Sequence, residues 1–212
     1  MTLAPTAASP AQPAPPPSRA KRLKALTHDT HERLDTTVAG ASSFASRDGY
    51  VRFARMQFLF HRDIDALYAD ADLQTLFPGL GERRQLPLLQ QDLADLAAAV
   101  PQPDTAPAFV PGAAIDLPTA LGWLYVAEGS RMGATLLRKD AARLGLSDDF
   151  GARHLAPAPE GPAAYWRIFT AALDGIALDA PPRTRRRAPR GSGESIIDGC
   201  GSRRGGPHPT HR

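Results

Sequence analysis

The placement of proline decides where this chain can fold. Of its 21 prolines, six fall within residues 1–17 and five lie between Pro101 and Pro118, and Pro78-Gly79 adds a further break. Proline removes a backbone donor and clashes with the preceding helical turn. Long helices are therefore confined to the intervals between these sites. Residues 1–17, rich in Pro and Ala, have too little apolar surface to bury and are expected to be disordered or locally polyproline-like. Residues 181–212 are Arg/Pro/Gly-rich around one apolar pair, Ile196-Ile197, and carry the same expectation. Between the two ends the dominant apolar period is helical.

Five helices are expected. The first starts at Ser18, a good N-cap, and runs to Val38, with Gly40 just past its end. The second, from Ser46 to Tyr68, is apolar on a wide face (Tyr50, Phe53, Met56, Phe58, Leu59, Phe60, Ile64, Leu67) and should be central. The third spans Glu82–Val100 with Pro87 near its start. Pro101–Pro118 is a long loop. The fourth covers Leu117–Leu144, Ser147 caps a short piece at Asp148–Phe150, and the fifth runs from Pro162 to Ile176. No segment alternates like a strand, and none repeats. The fold class is all-α, a single domain around one core, with boundaries at 1–19 (tail), 20–180 (helical domain) and 181–212 (tail).

Charge narrows the function classes. The chain has a net charge of +3 and a pI near 9.3, which suggests a polyanion binder until it is divided by region. The residues up to Arg22 carry +3 and residues 181–212 carry +6, so residues 23–180 hold a net charge of about −6. The basic pI belongs to the ends, and no nucleic-acid-binding face is expected on the body. No stretch reaches the ~20 apolar residues of a membrane helix, and no secretory signal is expected. A single cysteine, Cys200, excludes an internal disulfide framework and a cysteine-based zinc cluster. These readings place the protein in the cytoplasm.

Two segments carry chemistry. In the first helix, Leu23, Leu26, Thr30, Leu34 and Val38 form the expected buried stripe. At about 100° per residue, His31 falls about 80° from Leu23, on the stripe's edge, and His28 about 140°, outside it. Asp35 follows His31 at i+4, where it can orient an imidazole. Lys24 lies two turns back, roughly 10 Å along the axis. His31 is either a metal ligand or an interfacial histidine satisfied by Asp35. His61 on the second helix is a lesser alternative, because Arg62, Asp63 and Asp65 beside it suit a polar face. In the fourth helix, Gly122, Gly129 and Gly133 each cost about 1 kcal/mol relative to Ala. Such a cost implies close approach to the backbone, by another helix or by a flat ligand.

Together these segments resemble the heme oxygenase family. Leu23-Lys24, Thr27 and His31 match its proximal helix. Tyr125-Val-Ala-Glu-Gly-Ser130 followed by Gly133-Ala134 is similar to the distal helix of its bacterial branch. Gly49-Tyr50, Phe53 and Gln57–Asp63 resemble the branch's second helix, and Phe150–Leu155 with Trp166–Asp174 its later segments. The resemblance covers about residues 20–178. Near Ala180, where family members continue with further helix, this chain turns to Arg/Pro/Gly, which suggests an out-of-frame or divergent replacement.

The resemblance implies a helical fold holding heme, as cofactor and substrate, between the first and fourth helices. It implies oxidative opening of the ring by O₂ to biliverdin, with release of iron and CO. His31 would be the iron ligand, tuned by Asp35. Gly129 and Gly133 would let the distal helix lie over the heme face, with Ser130 standing where many relatives have Asp. Lys24, and more weakly Arg167, would meet the propionates. Arg131 could help order distal water but suits a solvated role better. Electrons would come from a reductase or ferredoxin, and the product would serve iron acquisition or a biliverdin-using photoreceptor. The competing expectations are a heme-binding or heme-buffering protein without turnover, and a related helical enzyme for another small molecule.

Overall fold

The computed structural model describes residues 18–40 and 43–178. Seven α-helices follow one another: α1 Arg19–Gly40, α2 Arg47–Ala69, α3 Ala71–Leu76, α4 Leu86–Asp95, α5 Leu117–Ser130, α6 Ala134–Arg143 and α7 Pro162–Gly175. Short 3₁₀ segments occupy Leu80–Arg83 and Arg153–Leu155. No strand occurs among the described residues, only isolated bridges from Ser147 to Phe150 and Gly151. The N-terminal and C-terminal segments expected to be tails lie outside the described residues, except for Ser18 and Arg19, which open α1. Ser18 caps that helix, its Oγ accepting from the Lys21 amide at 3.3 Å.

α2 is central, as its wide apolar face predicts. Its first turns (Tyr50, Phe53) join Ala134, Ala141, Leu146, Ala152 and Leu155. Its middle (Ala54, Phe58) meets Leu89 and Leu93 of α4. Its last turns (Ile64, Leu67, Tyr68) enter the largest cluster, with Leu121, Leu124 and Tyr125 of α5 and Phe169 and Leu173 of α7. Ser46 starts the helix by accepting from the Gly49 amide at 3.1 Å.

Several boundaries differ from the sequence expectation for local reasons. The helix expected over Glu82–Val100 is only Leu86–Asp95, entered through Pro87 and preceded by the 3₁₀ segment. It ends in a Schellman motif, Ala98 N–H to Leu93 O at 2.9 Å and Ala97 N–H to Ala94 O at 2.9 Å. That motif needs a left-handed residue, and Ala97 supplies it at φ 51° where glycine is usual. The expected single helix Leu117–Leu144 is two, α5 and α6. Between them the hydrogen bonds shorten to i→i+3, from Met132 to Gly129, Gly133 to Ser130 and Ala134 to Arg131. α3 fills the stretch before Pro78, capped by the Asp70 carboxylate on the Leu73 amide. Ser147 caps the short piece after it, a tight turn in which its Oγ accepts from the Asp149 amide at 3.2 Å and its carbonyl from the Phe150 amide at 3.1 Å.

Candidate functional site

α1 is seated by its base. The Arg19 guanidinium donates to the Leu173 and Ile176 carbonyls at the end of α7, the latter at 2.7 Å. Asp174 accepts the otherwise unpaired Ala20 amide at 3.1 Å. Each helix thus satisfies orphan groups at the other's terminus. Ala20 and Leu23 pack on the main core cluster, and α1 touches α5 as well as α7.

Beyond this base the expected stripe needs correction. Leu26 is 80% exposed and Leu34 52%. The inward line is set instead by Ala20, Leu23 and Thr27, which with Arg19 are the half-buried residues among those described in the helix. Measured from Ala20, Leu23 and Thr27 fall at about −60° and −20°, His31 at about 20°, Leu34 at about −40° and Leu26 at about −120°. Leu26 therefore lies off the line, because the chain seats α1 through small and polar Ala20 and Thr27 as well as through Leu23. His31 continues the line, two turns past the last core contact, and is itself exposed. His28 stands on another face, exposed, with Nε2 3.4 Å from Glu32. Lys24 is exposed. Asp35 continues the helix one turn past His31, and its side chain is outside the described set.

The exposed side of α5 carries Gly122, Val126 and Ser130. A Cβ on Gly122 would meet nothing within 4 Å, and one on Gly133 only the Ser130 carbonyl at 3.6 Å. Gly129 differs: its Cβ would contact the Trp166 indole of α7 at 3.5 Å, so a helix-packing partner is present there. The Ser130 hydroxyl donates back to the Ala127 carbonyl at 2.8 Å, which leaves its oxygen to accept. Met132 and Leu136 continue the exposed apolar surface across the turn, at 39% and 68% exposed. α1, with an exposed histidine, and α5, with room against its backbone at Gly122, touch each other, and an imidazole and an open backbone are groups that a flat metal-centred ligand can use. Arg167 is exposed on the α7 face opposite Tyr165, Phe169 and Leu173. The structure thus brings Lys24 and His31 onto one helix, and Gly129, Ser130 and Gly133 onto the adjoining turn, with Arg167 pointing outward. No group of three or more His, Cys, Asp or Glu suited to a metal occurs among the described residues.

His61 is buried at 5% exposure, not on a polar face. Its flanking carboxylates are spent elsewhere, Asp63 on Arg62 and Asp65 on Arg84. Its Nδ1 has no hydrogen-bond partner, and Phe60 meets the ring edge-on at 5.2 Å. Burial lowers its pKa from 6.5 to about 4, assisted by the charges of His154 and Arg131 and opposed by Asp65.

Two buried polar assemblies had no signature short enough to read. Asp92, 0% exposed, accepts from the Arg153 and His154 amides at 2.9 and 3.1 Å, from His154 Nδ1 at 2.8 Å and from the Arg153 guanidinium at 3.2 Å. Burial opposes ionisation of this carboxyl, but those hydrogen bonds outweigh it and lower its pKa. Glu128, also 0% exposed, accepts from the Tyr68 hydroxyl and the Arg83 guanidinium, both at 2.9 Å. A lone acid in the helix Leu117–Ser130, directly after an apolar run, was the available signal for Glu128. Arg131 is half-buried rather than extended into solvent: its guanidinium lies 4.8 Å from the Tyr165 ring centroid and donates to the Ala156 carbonyl at 3.4 Å.

Among the described residues the fold is helical throughout, with an exposed histidine on the outer part of α1 and a glycine-bearing break after α5, which defines the class of all-α proteins. The comparisons give the family. The heme oxygenase family model matches residues 18–189, further than the Ala180 limit read from the sequence. The chain is 44% identical over 166 residues to heme oxygenase PigA of Pseudomonas aeruginosa, covering 78% of this chain and 81% of that protein. It is similar to the crystal structure of the NO- and CO-bound heme oxygenase from Neisseria meningitidis, with a TM-score of 0.70 and 37% identity over 76% of this chain and 78% of that one. The chain belongs to the heme oxygenase family, and it is a heme-degrading enzyme. Among its described residues no helix is long and apolar enough to cross a membrane.

Proposed function

We propose that this protein opens heme to biliverdin, releasing iron and CO, with O₂ as oxidant and electrons from a reductase or ferredoxin. His31 supplies the proximal nitrogen to the iron, and Asp35 one turn on tunes it. The turn from Gly129 to Gly133 covers the opposite face. Lys24, on the same side of α1, meets a propionate. The observation that supports this most directly is the line of α1: the residues that seat the helix, Ala20, Leu23 and Thr27, lead on to His31, on a helix that touches α5.

Bound heme supplies the iron on which O₂ is activated, and the chain's own residues do the rest. A neutral imidazole donates more weakly than a thiolate and so does not push toward O–O cleavage. Glycine at 133 leaves space only for small molecules above the ring. The Ser130 oxygen, its proton engaged by Ala127, presents an acceptor beside that space. Val126, Met132 and Leu136 keep that side apolar.

The test is a spectrum. Hemin added to the purified chain should give a Soret band, and reductant in air should bleach it as a band in the red grows. A Soret band that persists through reduction would identify a heme-binding protein without turnover, and its absence would remove heme altogether. His31→Ala should abolish the ligand-dependent spectrum; an unchanged spectrum would refute the assignment.

A further inference from the structure

Glu128 is a fully buried carboxylate placed immediately before the break in the distal helix. Burying a charge is costly, and an apolar side chain would fill the same volume without that cost. What an apolar residue lacks is direction. The Glu128 carboxylate is held from two sides, by the Tyr68 hydroxyl of α2 on Oε1 and by the Arg83 guanidinium on Oε2, both at 2.9 Å. Arg83 closes the Leu80–Arg83 segment, and its side chain is only 10% exposed. Burial alone would lower its pKa, yet the hydrogen bond and charge of Glu128 raise it.

The same guanidinium lies 4.1 Å from the centroid of the Tyr165 ring, on which Arg131 also stacks, at 4.8 Å. Arg131 is the residue that ends α5. The break is therefore gripped on both sides: Glu128 on its helical side and Arg131 within the turn, joined through Arg83 and Tyr165. The next residue of α7, Trp166, backs Gly129. Within the turn itself the backbone has only i→i+3 bonds, which several turn shapes can satisfy. The long-range grip selects one of them.

We propose that Glu128 and Arg83 are positioning residues for the reaction, and that their buried ion pair sets where the 129–133 turn sits over the substrate. This rests on the reading that the turn covers the heme face. Neither residue touches the substrate; both act through the backbone of Gly129–Gly133.

The experiment uses the full chain with Glu128→Gln, Arg83→Met and Arg83→Lys. In the heme-free protein, hydrogen exchange of amides 129–134 should accelerate by roughly tenfold in Glu128→Gln and Arg83→Met, with α2 and α4 unchanged. With hemin, Kd should stay within about threefold while kcat falls about tenfold and the ratio of biliverdin isomers shifts, as expected when a covering element is misplaced without losing the iron ligand. Arg83→Lys, which keeps the charge, should recover most of the loss. If Glu128→Gln does not fold, the two Arg83 variants carry the same test. A merely structural role predicts the opposite split: lower Tm and weaker hemin binding, with kcat per bound hemin and isomer ratio as in wild type. That result would overturn the proposal. A wild-type chain that formed no hemin complex would instead overturn the functional reading beneath it.

Discussion

Acidification should destabilise the heme-free protein through His61 before it reaches the carboxylates. The native ring is neutral, since burial holds its pKa at about 4 against 6.5 in the unfolded chain. Around it stand His154 and Arg131, whose charges lower the pKa further, and Asp65, which raises it. As pH falls through 6.5 the unfolded state takes up a proton that the native state refuses. Stability from this group is therefore full above pH 6.5, declines with a slope of up to about 1.4 kcal/mol per pH unit, and levels off below pH 4. The gap between the two values corresponds to about 3 kcal/mol. That is a large share of the roughly 5–15 kcal/mol of a typical domain. The paired carboxyls have lowered values, through their hydrogen bonds for Asp95 and Asp116 and despite burial for Asp92, so they act lower still and leave the window clear. Urea unfolding at pH 7.5, 6.5, 5.5 and 4.5 measures the decline, and His61→Leu isolates it. The variant should lose markedly less stability than wild type between pH 6.5 and 4.5. A wild type that is flat across this range, or a His61→Leu variant that falls as steeply, would refute the reasoning.

Three further outcomes follow from the packing. Asp92→Ala removes the acceptor of the Arg153 and His154 donors, and a loss of about 3 kcal/mol or more should appear as a lower Tm. Ala97→Gly relieves a left-handed alanine at φ 51° and should stabilise the protein by up to about 1 kcal/mol in urea unfolding. Gly122→Ala places a methyl where nothing lies within 4 Å, so the helix-propensity gain of about 1 kcal/mol should be realised in the heme-free chain.

Where a helix boundary is local chemistry, the sequence discloses it. Ser18, Ser46 and Pro162 mark their starts because a side-chain acceptor or a fixed φ acts within one turn. The end of α4 was hidden because the Schellman residue is Ala97, which carries no glycine signal. The break after Ser130 was hidden because Ala134–Arg143 keeps a helical period, and only the bonding changes. Leu26 misled because a wheel built on leucines ignores Ala20 and Thr27, which occupy the seated face. Of the candidate site, the histidine and glycines stand in contiguous motifs. The grip on Glu128 comes from residues 45 and 60 positions away, beyond any spacing rule.

The seating of α1 has a consequence for how the enzyme cycles. Its contacts with α7 and the main core lie at Arg19, Ala20 and Leu23, while His31 and Leu34 extend past them. In the proposed site, a substrate held between this lever and α5 would act as the keystone of the half it joins. Loading with hemin should raise Tm by mass action and slow amide exchange along the outer turns of α1. On that reading, ring opening would replace the rigid wedge by a flexible chain, and the arm that held the substrate would be freed to let the product go.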